Sequence, residues 1–208
     1  MRLYGEPGWG SAIVEAQLDF YGLPYDFEAI GDLFRSAESR DRLAPVNPVM
    51  QVPTLVLPNG EIMTESAAIT MLLAEQTGND ELVPPPGDAD RARFLRWLVF
   101  TVANVYPTYT YGDDPSRFVS NPDCRNEFRR AVDEYAMKMY LILESEAAAP
   151  WFLGERFSAL DIYLCVMTTW RPRRTWFAKN APKLHAIAAA TEKLDALVPA
   201  WQRNFKAS

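Results

Sequence analysis

Hydrophobic positions recur with two different periods along this chain of 208 residues. In its first part, short β-branched and apolar runs alternate with stretches whose apolar residues lie three and four apart, which indicates strands between helices. Strands are predicted over 1–4, 25–30, 52–57 and 61–64, and helices over 11–21 and 66–77. A polar, charged segment over 34–43 is expected to be a helix or a loop.

The pattern changes at Pro84-Pro85-Pro86-Gly87, which cannot continue a helix and is typical of a stiff linker. Beyond this break, apolar residues recur at helical spacing towards the C-terminus. Helices are predicted over 89–106, 126–146, 160–170 and 182–197. Ser158 and Asp161 precede the third of these as a capping box with Asp in place of Glu, so we interpret them as structural.

These patterns predict a fold of the α/β plus all-α class. The order β-α-β-α-β-β-α over 1–78 is the thioredoxin-like pattern, a mixed sheet with helices on both faces. A linker over 79–88 is then expected to lead to an all-helical bundle domain over 89–208.

Composition narrows the classes of function. The net charge of −6 offers no basic surface for nucleic acid, and no run of about 18 apolar residues predicts a membrane span. The start Met1-Arg2-Leu3-Tyr4 does not resemble a signal peptide, and the two cysteines indicate reduced thiols, so a cytoplasmic protein is expected. His185 is the one histidine, which argues against histidine-based catalysis and against a metal site.

Candidate chemistry is concentrated around the predicted hairpin. Pro53 enters a strand without breaking it, which raises the possibility of a cis Val52–Pro53 bond that turns the Val52 backbone outward. Pro58-Asn59-Gly60 then predicts the turn of the hairpin. Ser66 begins a helix whose free N–H groups suit a carboxylate, and Glu65 adds a charge for an ammonium. The alternative is an ordinary hairpin followed by a capped helix.

The stretch Gln51-Val52-Pro53-Thr54-Leu55 with the later pair Glu65-Ser66 resembles the glutathione-binding signature of cytosolic glutathione transferases, and bacterial members look most similar. The resemblance covers nearly the whole chain. It implies that glutathione is the co-substrate, that the Val52 backbone beside Pro53 pairs with its cysteinyl part, and that Glu65 and Ser66 hold its γ-glutamyl end. Gln51 belongs to the same predicted site.

Arg35 is a further candidate, for the glycine carboxylate of glutathione, although a solvated surface arginine is the alternative. The resemblance also implies a homodimer.

Conjugation requires a glutathione thiolate, and a free thiol has a pKa of about 8.5. Ser11, at the start of the first helix, is the candidate catalytic residue, because its hydroxyl and nearby N–H groups could stabilise the sulfur anion. One alternative is a plain N-cap serine, and another is activation of the thiol by the Gly10 and Ser11 amides. Many bacterial relatives carry a cysteine where this chain has Gly10, so chemistry that needs a protein thiol is not expected.

The electrophile is expected to bind between the two domains, in a pocket with aromatic surface. The candidate pocket residues are Trp9, Gly10, Asn104, Tyr106, Tyr109 and Trp170. For each aromatic residue, core packing is the alternative.

The predicted function is therefore a glutathione S-transferase that joins glutathione to a small hydrophobic electrophile, as in detoxification. One alternative is a non-catalytic protein of the same fold that binds ligands or proteins. Another is a glutathione-dependent isomerase or ether-cleaving relative, which would share the glutathione site and differ in the pocket.

Overall fold

A computed structural model describes residues 1–205 and shows two compact units. The first unit combines Met1–Pro85 with the C-terminal segment from Ala189, and the second unit is Pro86–Ala188. The second unit begins within the predicted linker. The C-terminal segment, which was expected in the helical domain, instead packs with the first unit.

The first unit contains a four-stranded mixed sheet in the order β2-β1-β3-β4. Its strands are β1 (Arg2–Gly5), β2 (Asp26–Ala29), β3 (Thr54–Val56) and β4 (Ile62–Met63). Strand β1 pairs in parallel with β2 and antiparallel with β3, and β3 pairs antiparallel with β4. With its helices, this sheet is the predicted thioredoxin-like domain.

Three helices accompany the sheet in chain order. They are α1 (Ser11–Phe20), α2 (Ala37–Leu43) and α3 (Ser66–Thr77). The polar segment before the hairpin is thus a helix, begun by Ser36, whose side chain accepts a hydrogen bond from the Ser39 N–H. Apolar residues of β1, α1, β3 and α3 form the core, among them Leu3, Leu18 and Leu73, each fully buried.

The second unit is helical. Its helices are α4 (Arg91–Phe100), α5 (Tyr106–Asp113), α6 (Arg125–Glu146), α7 (Ala159–Met167) and α8 (Arg174–Asn180). A π-helical turn, Thr101–Val105, joins α4 to α5, so the helical path extends beyond the predicted end at 106. Pro107 explains this turn, because proline lacks the N–H that a regular α-helix needs there.

Helix α9 (Pro182–Thr191) runs from the second unit into the first, where Asp195–Leu197 forms a 3₁₀ turn before α10 (Val198–Asn204). Helix α10 packs against α1, and its Trp201 is 8% exposed. This apolar contact explains why the C-terminal segment belongs to the first unit.

The predicted capping box is present at the start of α7. Asp161 accepts hydrogen bonds from the N–H groups of Phe152 and Ser158, both at 2.8 Å, and from the Ser158 hydroxyl at 3.1 Å. Burial raises the pKa of Asp161 to about 7, although these donors act in the opposite direction. The two residues have the structural role expected of them.

Within residues 1–205, no helix is both long enough and apolar enough to cross a bilayer. The same residues contain no cluster of three or more His, Cys, Asp or Glu side chains suited to a metal ion.

Candidate functional site

The loop before β3 carries the predicted cis bond, between Val52 and Pro53. Pro53 is buried, Val52 is half-buried and Gln51 is exposed. The cis bond that the sequence raised as a possibility is therefore present, directly before β3.

Asn47 holds this loop in shape, and sequence reasoning missed it. Its side chain is buried, and its Nδ2 donates to the Gln51 carbonyl at 3.0 Å and to Thr54 Oγ1 at 2.9 Å. Thr54 Oγ1 in turn donates to the Gln51 carbonyl at 2.9 Å. The Asn47 Oδ1 accepts from the Val49 N–H at 3.0 Å. A buried amide with this many partners fixes the backbone that leads into Pro53.

Two residues other than glycine adopt positive φ angles beside the candidate site: Met50 at 55° and Glu65 at 61°. A side chain in this region costs free energy unless the surroundings hold it there, and such residues concentrate at ligand sites. The Glu65 carboxylate is thereby placed at the exposed start of α3.

Helix α3 begins with Ser66, which is 7% exposed. Among residues 1–205, no acceptor is found for the N–H groups of Ser66 and Ala67, while the Ile69 N–H bonds to the Glu65 carbonyl. Unpaired N–H groups and the positive end of the helix dipole make this terminus suited to a carboxylate.

The connection from β1 to α1 is a tight turn, Glu6-Pro7-Gly8-Trp9. The Trp9 N–H bonds to the Glu6 carbonyl at 3.0 Å, and Gly8 has a φ of 78°. Proline followed by a glycine with positive φ is typical of a type II turn. The Glu6 carboxylate also accepts a hydrogen bond from the Gly31 N–H at 2.9 Å, which holds the turn against the segment after β2.

The predicted catalytic hydroxyl of Ser11 lies inside this turn. Ser11 is fully buried, and its Oγ donates to the Glu6 carbonyl and accepts from the Glu6 N–H, both at 3.1 Å. A Cβ on Gly5 would lie 2.4 Å from this oxygen, so the strand end also needs glycine. The geometry favours the structural alternative for the Ser11 side chain, because its hydrogen bonds already go to the backbone.

The backbone amides at the start of α1 are differently placed. In the part of the chain that the structure describes, neither the Gly10 N–H nor the Ser11 N–H has an acceptor. Both belong to the N-terminus of a ten-residue helix, where the dipole favours a negative charge. Both residues are buried, and their unpaired N–H groups are of the kind that suits an anion such as a thiolate.

Several predicted residues of the first unit come together. Trp9 and Val52 both pack against the apolar cluster that contains Tyr4 and Ile30. Arg35, by contrast, keeps 89% of its side chain exposed, with its Nε 3.8 Å from the Asp32 carboxylate. The structure thus leaves it as a solvated arginine with one weak ion pair.

In the second unit, Trp170 joins two of the other predicted pocket residues. Its ring meets those of Tyr106 and Tyr109 edge to face, with centroids 5.6 Å and 4.7 Å apart. Asn104, also predicted, is half-buried and donates to the Phe100 carbonyl at 3.2 Å within the helix. The predicted pocket residues therefore fall into two groups, one in each unit.

The hydroxyl of Tyr109 is occupied by neighbours within its own unit. It pairs with the Tyr140 hydroxyl and donates to the Arg171 carbonyl at 2.9 Å. Burial raises the pKa of Tyr109 above its ordinary range. Arg171 extends the network with ion pairs to Asp113 and Asp133 at 3.1 Å and 3.2 Å. Tyr109 thus offers a candidate ligand its ring rather than its hydroxyl.

Comparison with known proteins identifies the family. Residues 11–81 match the family described as "Glutathione S-transferase, N-terminal domain". YncG of Escherichia coli K12, described as an uncharacterized GST-like protein, is 42% identical over 205 residues, which make up 98% of each chain.

Solved structures are similar over the full length. The beta class glutathione S-transferase of Sphingomonas chungbukensis gives a TM-score of 0.79 at 25% identity, covering 100% of both chains. A sphingomonad glutathione S-transferase complexed with glutathione gives 0.77 at 26% identity, again covering 100% of both.

A thioredoxin-like domain with a cis-proline loop, followed by a helical unit, is the architecture of a glutathione transferase. The chain belongs to the glutathione S-transferase family, and its relatives include bacterial beta class enzymes.

Proposed function

We propose that this protein is a glutathione transferase that conjugates the glutathione thiolate to a small hydrophobic electrophile. The observation that carries the proposal is the joint placement of the cis Val52–Pro53 bond, the Glu65 carboxylate and the open N-terminus of α3 in one unit. A similar protein has been solved in complex with glutathione.

The γ-glutamyl end of glutathione is assigned to α3. The carboxylate of this γ-glutamyl end accepts hydrogen bonds from the Ser66 hydroxyl and from the N–H groups of Ser66 and Ala67. Its ammonium group pairs with the Glu65 carboxylate. The cysteinyl backbone pairs with the N–H and C=O of Val52. Gln51 and Pro53 shape this loop, with Asn47 behind them.

The thiol is assigned to the amides of Gly10 and Ser11. A hydrogen bond to an anion favours the charged form, so two donors at a helix N-terminus lower the pKa of a bound thiol. The Ser11 hydroxyl is a weaker candidate, because its two bonds to Glu6 would have to break first.

The electrophile is assigned to the aromatic surface that Tyr106, Tyr109 and Trp170 form in the second unit. These rings suit a flat, hydrophobic compound. A homodimer in the cytoplasm completes the proposal, and light scattering after size-exclusion chromatography tests the oligomeric state.

The decisive experiment titrates the protein with glutathione by calorimetry and then measures thiolate absorbance in the same complex as the pH is varied. We expect binding and a thiol pKa well below 8.5. Binding with an unshifted pKa would instead favour the non-catalytic ligand-binding alternative. No binding at millimolar glutathione would overturn the proposal.

A pair of variants isolates the amide donor. Gly10 has a φ of −59°, which proline also adopts, so Gly10→Pro removes the N–H at a compatible backbone angle. We expect it to raise the thiol pKa by about one unit, the size of one lost hydrogen bond to a charge. Gly10→Ala keeps the N–H and should leave the thiol pKa low.

A further inference from the structure

The C-terminal helix α10 reaches the turn that precedes the thiol-activating amides. Asn204 is its last residue, and its side-chain Oδ1 accepts a hydrogen bond from the Gly8 N–H at 3.0 Å. Gly8 is the third residue of the Glu6-Pro7-Gly8-Trp9 turn. In a type II turn the N–H of this residue lies outside the internal hydrogen bond, so it is available to a partner from elsewhere.

The orientation of the Asn204 amide is set by its other partners. Its Nδ2 donates to the Glu15 carboxylate of α1 and to the Ala200 carbonyl, the latter at 2.9 Å. With both donors directed at oxygens, the amide oxygen must face Gly8. One side chain therefore joins α10, α1 and the turn.

Glu15, which accepts a hydrogen bond from the Asn204 amide, is itself held in place by other contacts. Its side chain is 2% exposed, and Arg203 pairs with it through Nε at 3.1 Å. Arg203 also bonds to Asp19 at 2.5 Å and to the Tyr25 hydroxyl at 2.7 Å. A buried carboxylate with charged and amide donors holds its neighbours in one arrangement.

We propose that Asn204 is a positioning residue that directs the Gly10 and Ser11 amides by holding the Gly8 N–H. The proposal rests on the function proposed above, since it assigns those amides to the thiolate. Misplacing a donor by a fraction of an ångström weakens a short charged hydrogen bond, so the turn needs support from outside. Within the first part of the chain, the turn is held by the Ser11 hydroxyl and by the Gly31 N–H, which both bind Glu6. Asn204 holds the turn from the other end of the chain.

Two neighbouring variants separate positioning from simple stability. Asn204→Ala removes the acceptor for Gly8, whereas Trp201→Leu weakens the packing of α10 on α1 and leaves Arg203, Glu15 and the Gly8 bond in place. Both should lower the melting temperature. Only Asn204→Ala should raise the pKa of the bound glutathione thiol and lower kcat/KM, by roughly tenfold for a misplaced catalytic group.

A third variant tests the acceptor itself. Asn204→Asp keeps an oxygen for the Gly8 N–H but places a second carboxylate beside Glu15. It should therefore be less stable than the wild type, and its thiol pKa should rise less than that of Asn204→Ala. A rise equal to that in Asn204→Ala would overturn the role of the Gly8 bond.

A measurement without glutathione keeps this inference separate from the proposed function. In the free protein, ¹⁵N relaxation of the Gly10 amide should show greater mobility in Asn204→Ala and no change in Trp201→Leu. Equal mobility of the Gly10 amide in the wild type and in these two variants would overturn the positioning role even if glutathione binds as a thiolate. The expected mobility change in a protein that does not lower the thiol pKa would support positioning and reject the proposed activation.

Discussion

The Ser11 hydroxyl oxygen lies 3.1 Å from both the backbone nitrogen and the backbone oxygen of Glu6. It accepts from the first and donates to the second, so the side chain closes the turn between β1 and α1. This buried contact makes Ser11 a determinant of the turn's shape, and among residues 1–205 it leaves the Gly10 and Ser11 amides, rather than the hydroxyl, without a hydrogen-bond partner.

Replacing Ser11 by alanine should therefore affect stability more than thiol activation. The Glu6 N–H would lose its acceptor inside the fold, which costs about 1–3 kcal/mol of unfolding free energy. Urea unfolding measures this loss, and thiolate absorbance of bound glutathione measures activation. Ser36→Ala, which removes the cap of α2, is the matched control for losing a serine cap. A thiol pKa in Ser11→Ala that is raised well beyond that in Asn204→Ala, at saturating glutathione, would return the catalytic role to the hydroxyl.

Replacing Glu65 should weaken glutathione binding, and the effect on unfolding free energy should depend on which residue replaces it. Both Glu65→Ala and Glu65→Gly remove the carboxylate for the glutathione ammonium, so both should weaken binding at least about tenfold, or 1.4 kcal/mol. They differ in backbone cost, because alanine keeps a side chain at a φ of 61° and glycine does not. The glycine variant should be more stable than the alanine variant by about 1 kcal/mol.

Calorimetry with glutathione and denaturant unfolding measure the two effects separately. Glu61→Ala changes an exposed acid in the preceding hairpin and should leave glutathione affinity unaltered. Unchanged affinity in both Glu65 variants would remove the residue from the site.

Asn47 should be needed for both the cis-proline loop and glutathione binding. Asn47→Ala deletes the donors to the Gln51 carbonyl and to Thr54, and the acceptor for Val49, in a buried place. We expect a loss of about 2–3 kcal/mol in unfolding free energy. Glutathione affinity should also fall, because the Val52 backbone would no longer be held.

The comparison for this variant is Asn59→Ala, at the exposed turn of the same hairpin, which should cost less and leave binding intact. Wild-type affinity in Asn47→Ala, measured well below its melting temperature, would show that the loop keeps its shape without this amide.

Local signals predicted the parts of the site that depend on neighbours in sequence. The Val-Pro pair, the turn residues and the helix start at Ser66 each follow from residues a few positions apart, and the structure confirms the cis bond and the start of α3. The π-helical turn before Tyr106 was missed, although Pro107 is its local signal.

Features that depend on distant partners could not be predicted in this way. Nothing near Ser11 in sequence states that its hydroxyl turns inward to Glu6 rather than outward. Asn204 meets Gly8 across 196 positions, and only the packing of α10 on α1 brings them together. Periodicity predicted that the C-terminal segment is helical, but a periodic pattern does not show which unit the segment packs against.

Asp161 should make stability depend on pH. Its pKa is about 7 in the folded protein because of burial, against about 3.9 in an unfolded chain. Between these values the folded state binds the extra proton, so the unfolding free energy should fall as pH rises from about 4 to 7 and level off above. The slope from this group is at most about 1.4 kcal/mol per pH unit.

Urea unfolding of wild type and Asp161→Asn across this range measures the contribution of Asp161. The asparagine variant lacks the titrating group, so the difference between the two proteins should change with pH. Ser158→Ala removes one donor and keeps the carboxylate; it should cost about 1 kcal/mol while retaining a slope of the same sign as the wild type. Parallel curves for wild type and Asp161→Asn would show that the three hydrogen bonds outweigh burial and keep the carboxylate ionised throughout.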